Sequence, residues 1–150
     1  MHPKGHLFGS ALLGLLLGAL GTAAHADPCK AIPDRGPMPS YLYRGAHFSG
    51  PVVYVGDGDS LCVAVGDGPQ NWVEVRLADF YAPELHSLSG PEAKAALERL
   101  AMGRQADCTA EHQSYDRVVA ACRIDGRSIG ELMRDAGVAE GGRGYSRRHQ

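Results

Sequence analysis

The chain lacks a basic excess, a close pair of cysteines, an internal repeat and a long uninterrupted apolar run. Lysine and arginine number 15 against 17 aspartates and glutamates, a formal net charge of −2. A protein that coats nucleic acid without selection shows the opposite balance, so any phosphate bound here must be held by a few placed arginines. The 4 cysteines form no C-x-x-C, which excludes the common zinc scaffolds. The histidines, among them His47, His86 and His112, show no metal-ligand spacing and read as surface residues. Without a repeat there is no solenoid, and the length allows one compact domain.

The one apolar stretch lies at the start, in MHPKGHLFGSALLGLLLGALGTAAHADPC. Lys4 precedes it, glycines interrupt it between Leu7 and Leu20, and Ala24-His25-Ala26 ends it in a small-x-small pattern. Residues 1–26 therefore read as a secretory signal peptide cleaved after Ala26. A membrane anchor fits less well, because no stop-transfer charges follow. Lipid attachment at Cys29 is disfavoured by Asp27-Pro28, which stands where small apolar residues belong. The expected product is an exported chain, periplasmic or extracellular, with no membrane anchor after cleavage. In such a compartment an even number of cysteines is expected to form disulfides.

Residues 27–50 carry no sustained period and read as an irregular N-terminal arm anchored by Cys29. The segment VVYVGDGDSLCVAV, residues 52–65, reads as two strands broken at Asp57-Gly58-Asp59-Ser60. An Asp-Gly pair suits a hairpin, because glycine takes positive φ cheaply and Asp bonds its own backbone. That accounts for Asp57 and Gly58 and leaves Asp59 over.

Further on, Val73, Val75 and Leu77 alternate with Trp72, Glu74 and Arg76, so a third strand presents Arg76 on its polar face. In SGPEAKAALERLAMG, Pro91 suits the first helical position, Ala93, Ala96, Leu97 and Leu100 share a face, and Gly103 ends the helix. Two strands joined around Tyr115 follow. Ser128 and Glu131 then form a capping box, opening a short helix that Gly137 closes. Pairing about Tyr115 sets Cys108 opposite Cys122. Of the three possible connectivities, this one leaves Cys29 to Cys62. Residues 142–150, with Arg143, Arg147 and Arg148 among glycines, read as a basic flexible tail.

Three strands, a helix, two strands and a helix suit a β-rich α+β fold: an OB-fold five-stranded Greek-key barrel with an inserted helix and a short C-terminal helix. The motifs DGDS, VRLADFYAPEL and SYDRVVAACRIDGRSIGELMRDAGVAEGG, in this order, resemble the thermonuclease family, the staphylococcal-nuclease-like domain. The resemblance runs from Val52 to Gly141, and the domain is expected over residues 51–141. It implies a metal-dependent, calcium-using phosphodiesterase that cuts DNA and RNA with little sequence preference. Asp59 matches a metal carboxylate, Ala82 a metal-bound backbone carbonyl, and Glu84 the general base. Arg76 and Arg117 match phosphate-binding arginines, and Tyr115 a tyrosine beside the substrate phosphate. The chain is expected to act as a monomer.

The chemistry of these residue types agrees with the assignment. Phosphodiester hydrolysis builds negative charge on phosphoryl oxygens, which guanidinium forks stabilise. The attacking water must lose a proton, and a carboxylate within hydrogen-bond reach can take it. One position departs from the family pattern R-L-x-G-I-D-x-P-E: Tyr81 stands where a second metal-ligating Asp is expected. A neutral phenol is a poor calcium ligand. Asp79, two residues before it, either approaches the metal from the same strand face or caps the loop. The family's third helix is not evident in the shorter C-terminal segment. Two other readings stay open. One is a catalytically silent nucleic-acid or protein-binding module that lost its metal ligand at Tyr81; the other is a disulfide-stabilised structural domain.

Overall fold

The computed structural model describes residues 26–148, with side chains to residue 145. The leader expected at residues 1–26 thus lies outside the described residues except for Ala26. The elements are β1 (His47–Val55), β2 (Ser60–Ala64), β3 (Trp72–Leu77), α1 (Gly90–Ala101), β4 (Gln105–Ser114), β5 (Arg117–Ile124), β6 (Arg127–Ser128), α2 (Ile129–Asp135) and α3 (Gly142–Arg148). The sheet order is β3-β2-β1-β4-β5-β6, and β3 also pairs with β5 in parallel. That last pairing closes the first five strands into a β-barrel, removing the sheet edges that an open sheet would expose.

Alternation along β3 builds one wall of the core. Val73, Val75 and Leu77 are fully buried while Trp72, Glu74 and Arg76 are half-buried. Each fully buried side chain of this kind contributes roughly 1.5–3 kcal/mol. Strand β1 serves two partners, pairing with β4 over His47–Pro51 and with β2 from Val52 onward. Gly50 sits at this change of partner, where a Cβ would stand 2.0 Å from the Ala64 carbonyl oxygen. No other residue allows that approach without backbone movement.

The β4–β5 hairpin pairs Cys108 with Cys122, whose disulfide follows from that register, and Cys29 bonds to Cys62. Beyond Ala110 the register shifts by one residue, and Tyr115 takes a positive φ of 59° in the turn. Helix α1 buries Ala93, Ala96 and Leu97, with Leu100 packed partly against the core. Ser128 Oγ accepts from the Glu131 amide at 3.3 Å, the capping contact that starts α2. Paired cysteines are what an oxidising compartment permits. Among the described residues no helix is long and apolar enough to cross a membrane.

Three local expectations are corrected. Gly58 does not take positive φ; the Asp57 side chain makes the turn by accepting from the Asp59 amide at 3.0 Å. Glycine is needed there for space, because a Cβ would lie 2.6 Å from Ala82 Cβ and 2.7 Å from Ala93 Cβ. The arm of residues 27–50 is also more ordered than its composition suggests. Its last four residues belong to β1, a 3-10 turn spans Ser40–Leu42, and Ile32 and Leu42 are buried in the core. Finally, Gly142–Arg148 is a helix where a flexible tail was expected.

Candidate active site

A cleft of about 460 Å³ opens where the start of β2, the end of β3 and the β4–β5 turn meet. Register brings these ends together: Ser60 pairs with Arg76, and Arg76 with Val119. Asp59, Arg76, Tyr81, Ala82, Glu84, Tyr115 and Arg117 all line it. The structure thus gathers these sequence-expected residues in one place.

Asp59 is the buried centre of the cleft, 6% exposed. Its Oδ2 accepts from the Ala82 amide at 2.8 Å and from Arg76 Nη2 at 3.1 Å. Burial pushes its carboxyl up to about 6, with the neighbouring Asp57 adding to the rise, while Arg76, the Ala82 amide and Arg117 oppose it. Arg76 is fixed further by its own bond to the Leu77 carbonyl at 3.3 Å, and its guanidinium stands 5.1 Å from the centre of the Tyr81 ring.

Glu84 has a different setting. Its side chain is 53% exposed, and Oε1 accepts from the Arg143 amide at 3.2 Å with Arg143 Nε at 3.5 Å. Tyr115 is 85% exposed beside Arg117 on the hairpin turn. An exposed aromatic there is free to stack on a nucleotide base.

Asp79 does not join the cleft. Its Oδ2 accepts from Ser128 Oγ, its carbonyl accepts from Arg134, and a Cβ on Gly130 would collide with it. Strand β3 stops at Leu77, so the two-residue rule that would place Asp79 and Tyr81 on one face no longer applies. Asp79 instead packs against the start of α2, where its carboxylate holds the hydroxyl of the N-cap Ser128.

Several cleft residues were not singled out from sequence for a role there. Asp57, His112 and Gly144 line the cleft, and so does Arg143, read from sequence only as part of a solvated tail. The α3 segment is tied to the site at its root. The Gly141 amide donates to the Tyr81 carbonyl at 2.8 Å, and the Tyr81 amide donates to Glu140 Oε1 at 3.2 Å. The only signal in the sequence was glycine flanking a single arginine, a pattern equally common in loose tails.

Of the six to eight oxygens that calcium takes, waters among them, the cleft's side chains would supply a minority, through Asp57, Asp59 and Glu84. Asp59 Oδ2 already serves two donors. Tyr81 offers a phenol that carries a guanidinium over its ring. The Ala82 carbonyl lies against Gly142, where a Cβ would come within 2.5 Å of its oxygen. Among the described residues, the convergence of three potential ligands is Asp27, Cys29 and Cys62, away from the cleft and with its sulfurs bonded to each other. No catalytic step is therefore assigned to a metal.

Outside the cleft, Glu74 holds its proton unusually tightly. Burial first, then a hydrogen bond and charge repulsion from Asp27, push its carboxyl up to about 8.

No protein-family model and no curated protein matches the sequence.

Proposed function

We propose that the protein is an exported nuclease, directed out of the cell by residues 1–26, that hydrolyses phosphodiester bonds of DNA and RNA with little sequence preference. In this reading the barrel is of the OB type, a Greek key with the helix α1 inserted, and the protein acts as a monomer. The observation that supports it is the meeting of Asp59, Arg76, Glu84 and Arg117, drawn from separate parts of the chain, in one open cleft. Strand pairing in the order β1-β2-β3-β5-β4 and back to β1 is what an OB barrel requires.

In this mechanism Arg76 and Arg117 hold the phosphoryl oxygens, where charge builds during attack. Asp59 positions Arg76 through their ion pair. A water attacks phosphorus, Glu84 takes its proton, the bond to the leaving oxygen breaks, and that oxygen is protonated from solvent, which the open cleft admits. Tyr115 supports the adjoining nucleotide.

A second reading has its own support. Tyr81 and the Arg143 contact on Glu84 suit an OB module that binds nucleic acid or protein without cutting. The deciding experiment is cleavage of single-stranded DNA by the mature, oxidised protein with calcium, with other divalent ions and with chelator. Cleavage that drops at least 100-fold in Glu84→Gln is the expected result. A wild type that cuts under no condition, with activity gained in Tyr81→Asp, would establish the silent module instead.

A further inference from the structure

We infer that Arg143 is the third guanidinium of a phosphate-binding site that works without a divalent metal, carried into the cleft by the segment Gly142-Arg143-Gly144. This rests on the reading that the cleft takes nucleic-acid phosphates. Three observations support it.

The first is close approach at both flanking residues. Gly142 has a φ of 73°, and a Cβ on it would stand 2.5 Å from the Ala82 carbonyl oxygen. On Gly144 a Cβ would stand 2.2 Å from Tyr81 Cδ1 and 3.3 Å from Arg76 Nη2. Glycine at both positions lets the backbone lie directly on the floor of the site, so the residue between them is delivered to a defined place. A solvated tail has no such need.

The second is anchoring. Glu140 reaches Tyr81 with one carboxylate oxygen and Arg134 with the other, at 3.2 Å each. The segment is thereby tied to the cleft and to α2 immediately before Arg143. The Arg143 side chain itself is 86% exposed, so its guanidinium can move while its backbone stays in place.

The third is the charge pattern. Tyr81 lines the cleft with an aromatic ring, which carries the Arg76 guanidinium. Arg76, Arg117 and Arg143 line the same cleft as Asp57, Asp59 and Glu84. Asp59 is satisfied internally by Arg76 and Ala82, whereas among the described residues the Arg143 side chain is held only by the exposed Glu84. An incoming phosphodiester offers the Arg143 guanidinium two non-bridging oxygens, whereas Glu84 meets it through one oxygen, 3.5 Å from Nε. Phosphate therefore draws the Arg143 guanidinium off Glu84, which keeps the bond from the Arg143 backbone amide and loses the guanidinium counter-charge, a loss that favours proton uptake by a carboxylate.

The test uses the mature, disulfide-bonded protein and a fluorescent phosphorothioate-linked single-stranded oligonucleotide, which resists cleavage, with anisotropy as the readout. Binding is expected to be equal within twofold in chelator and in calcium. Arg143→Ala should weaken binding about tenfold and reduce the slope of log affinity against log salt by about one. Arg143→Lys should restore the slope but only part of the affinity, since it lacks the planar fork. Tightening of more than tenfold on adding calcium would overturn the proposal. So would wild-type binding by Arg143→Ala while Arg76→Ala and Arg117→Ala, checked for folding by circular dichroism, bind weakly; the cleft would then remain a nucleic-acid site. Undiminished binding by all three variants would overturn both this inference and the nucleic-acid reading beneath it.

Discussion

The two walls of the cleft are built differently. Asp59 and Arg76 stand on paired strand ends, buried and joined to each other and to the Ala82 amide. Glu84 and Arg143 stand on a loop and a short terminal helix, exposed and joined mainly to one another. The first pair is part of the barrel's structure, because removing either member strips the other, largely desolvated, of its counter-charge. The second pair contributes little to stability, as exposed ion pairs do, and is free to exchange partners. In the proposed reaction, the work that requires motion or proton transfer falls to the second wall, and orientation to the first.

Substitutions on either wall can break or sharpen this contrast. The largest effect is expected for Glu84→Gln, with cleavage down by about 10³-fold and urea unfolding changed by less than about 0.5 kcal/mol. Loss of stability on that scale with cleavage intact would reverse the assignment of the two walls. On the other wall, Asp59→Ala should cost about 3 kcal/mol in the same unfolding measurement, because it strips the acceptor from Ala82 and the counter-charge from Arg76. Asp59→Asn keeps an acceptor and should cost less.

The pH dependence of stability should report two carboxyls, Asp59 in the cleft and Glu74 outside it. Asp59 moves from an ordinary value of 3.8 up to about 6, and Glu74 from 4.5 up to about 8. For both groups the folded state binds the proton more tightly than the unfolded state. Their contribution is therefore present at low pH and is lost as pH rises, between about 4 and 6 for Asp59 and on toward 8 for Glu74. Thermal melts across this range should flatten in the lower part for Asp59→Asn and in the upper part for Glu74→Gln. No flattening in either variant would mean that these carboxyls are not the linked groups.

The smallest change in global stability is expected for Gly144→Ala, under about 0.5 kcal/mol, since α3 lies outside the barrel. Its new Cβ would nevertheless collide with the Tyr81 ring and lift α3 from the cleft. Trypsin should then cut after Arg143 faster than in the wild type, and an unchanged rate would show that the helix does not depend on this contact.

Much of the barrel was legible from the chain because its signals are local. Alternation in Trp72–Leu77, the pairing of Cys108 with Cys122 about Tyr115 and the Ser128 cap each depend on residues close in sequence. The motifs also named most of the cleft: Asp59, Arg76, Glu84 and Arg117 were visible as candidates before any packing was known. What stayed hidden depends on contacts between distant segments. Gly58 looks like a turn glycine until Ala82 and Ala93 are seen against it. Asp79 looks like a partner for Tyr81 until the strand ends at Leu77 and Ser128 takes it. The Gly142–Gly144 segment reads as a loose tail until Ala82 and Tyr81 lie beneath it. By itself, then, the sequence determined strands, caps and disulfide partners, since backbone geometry and side-chain period act over a few residues. Only the tertiary structure decided which carboxylates share the cleft and that Arg143 enters it, because burial and collision are properties of segments that meet only once the barrel has closed.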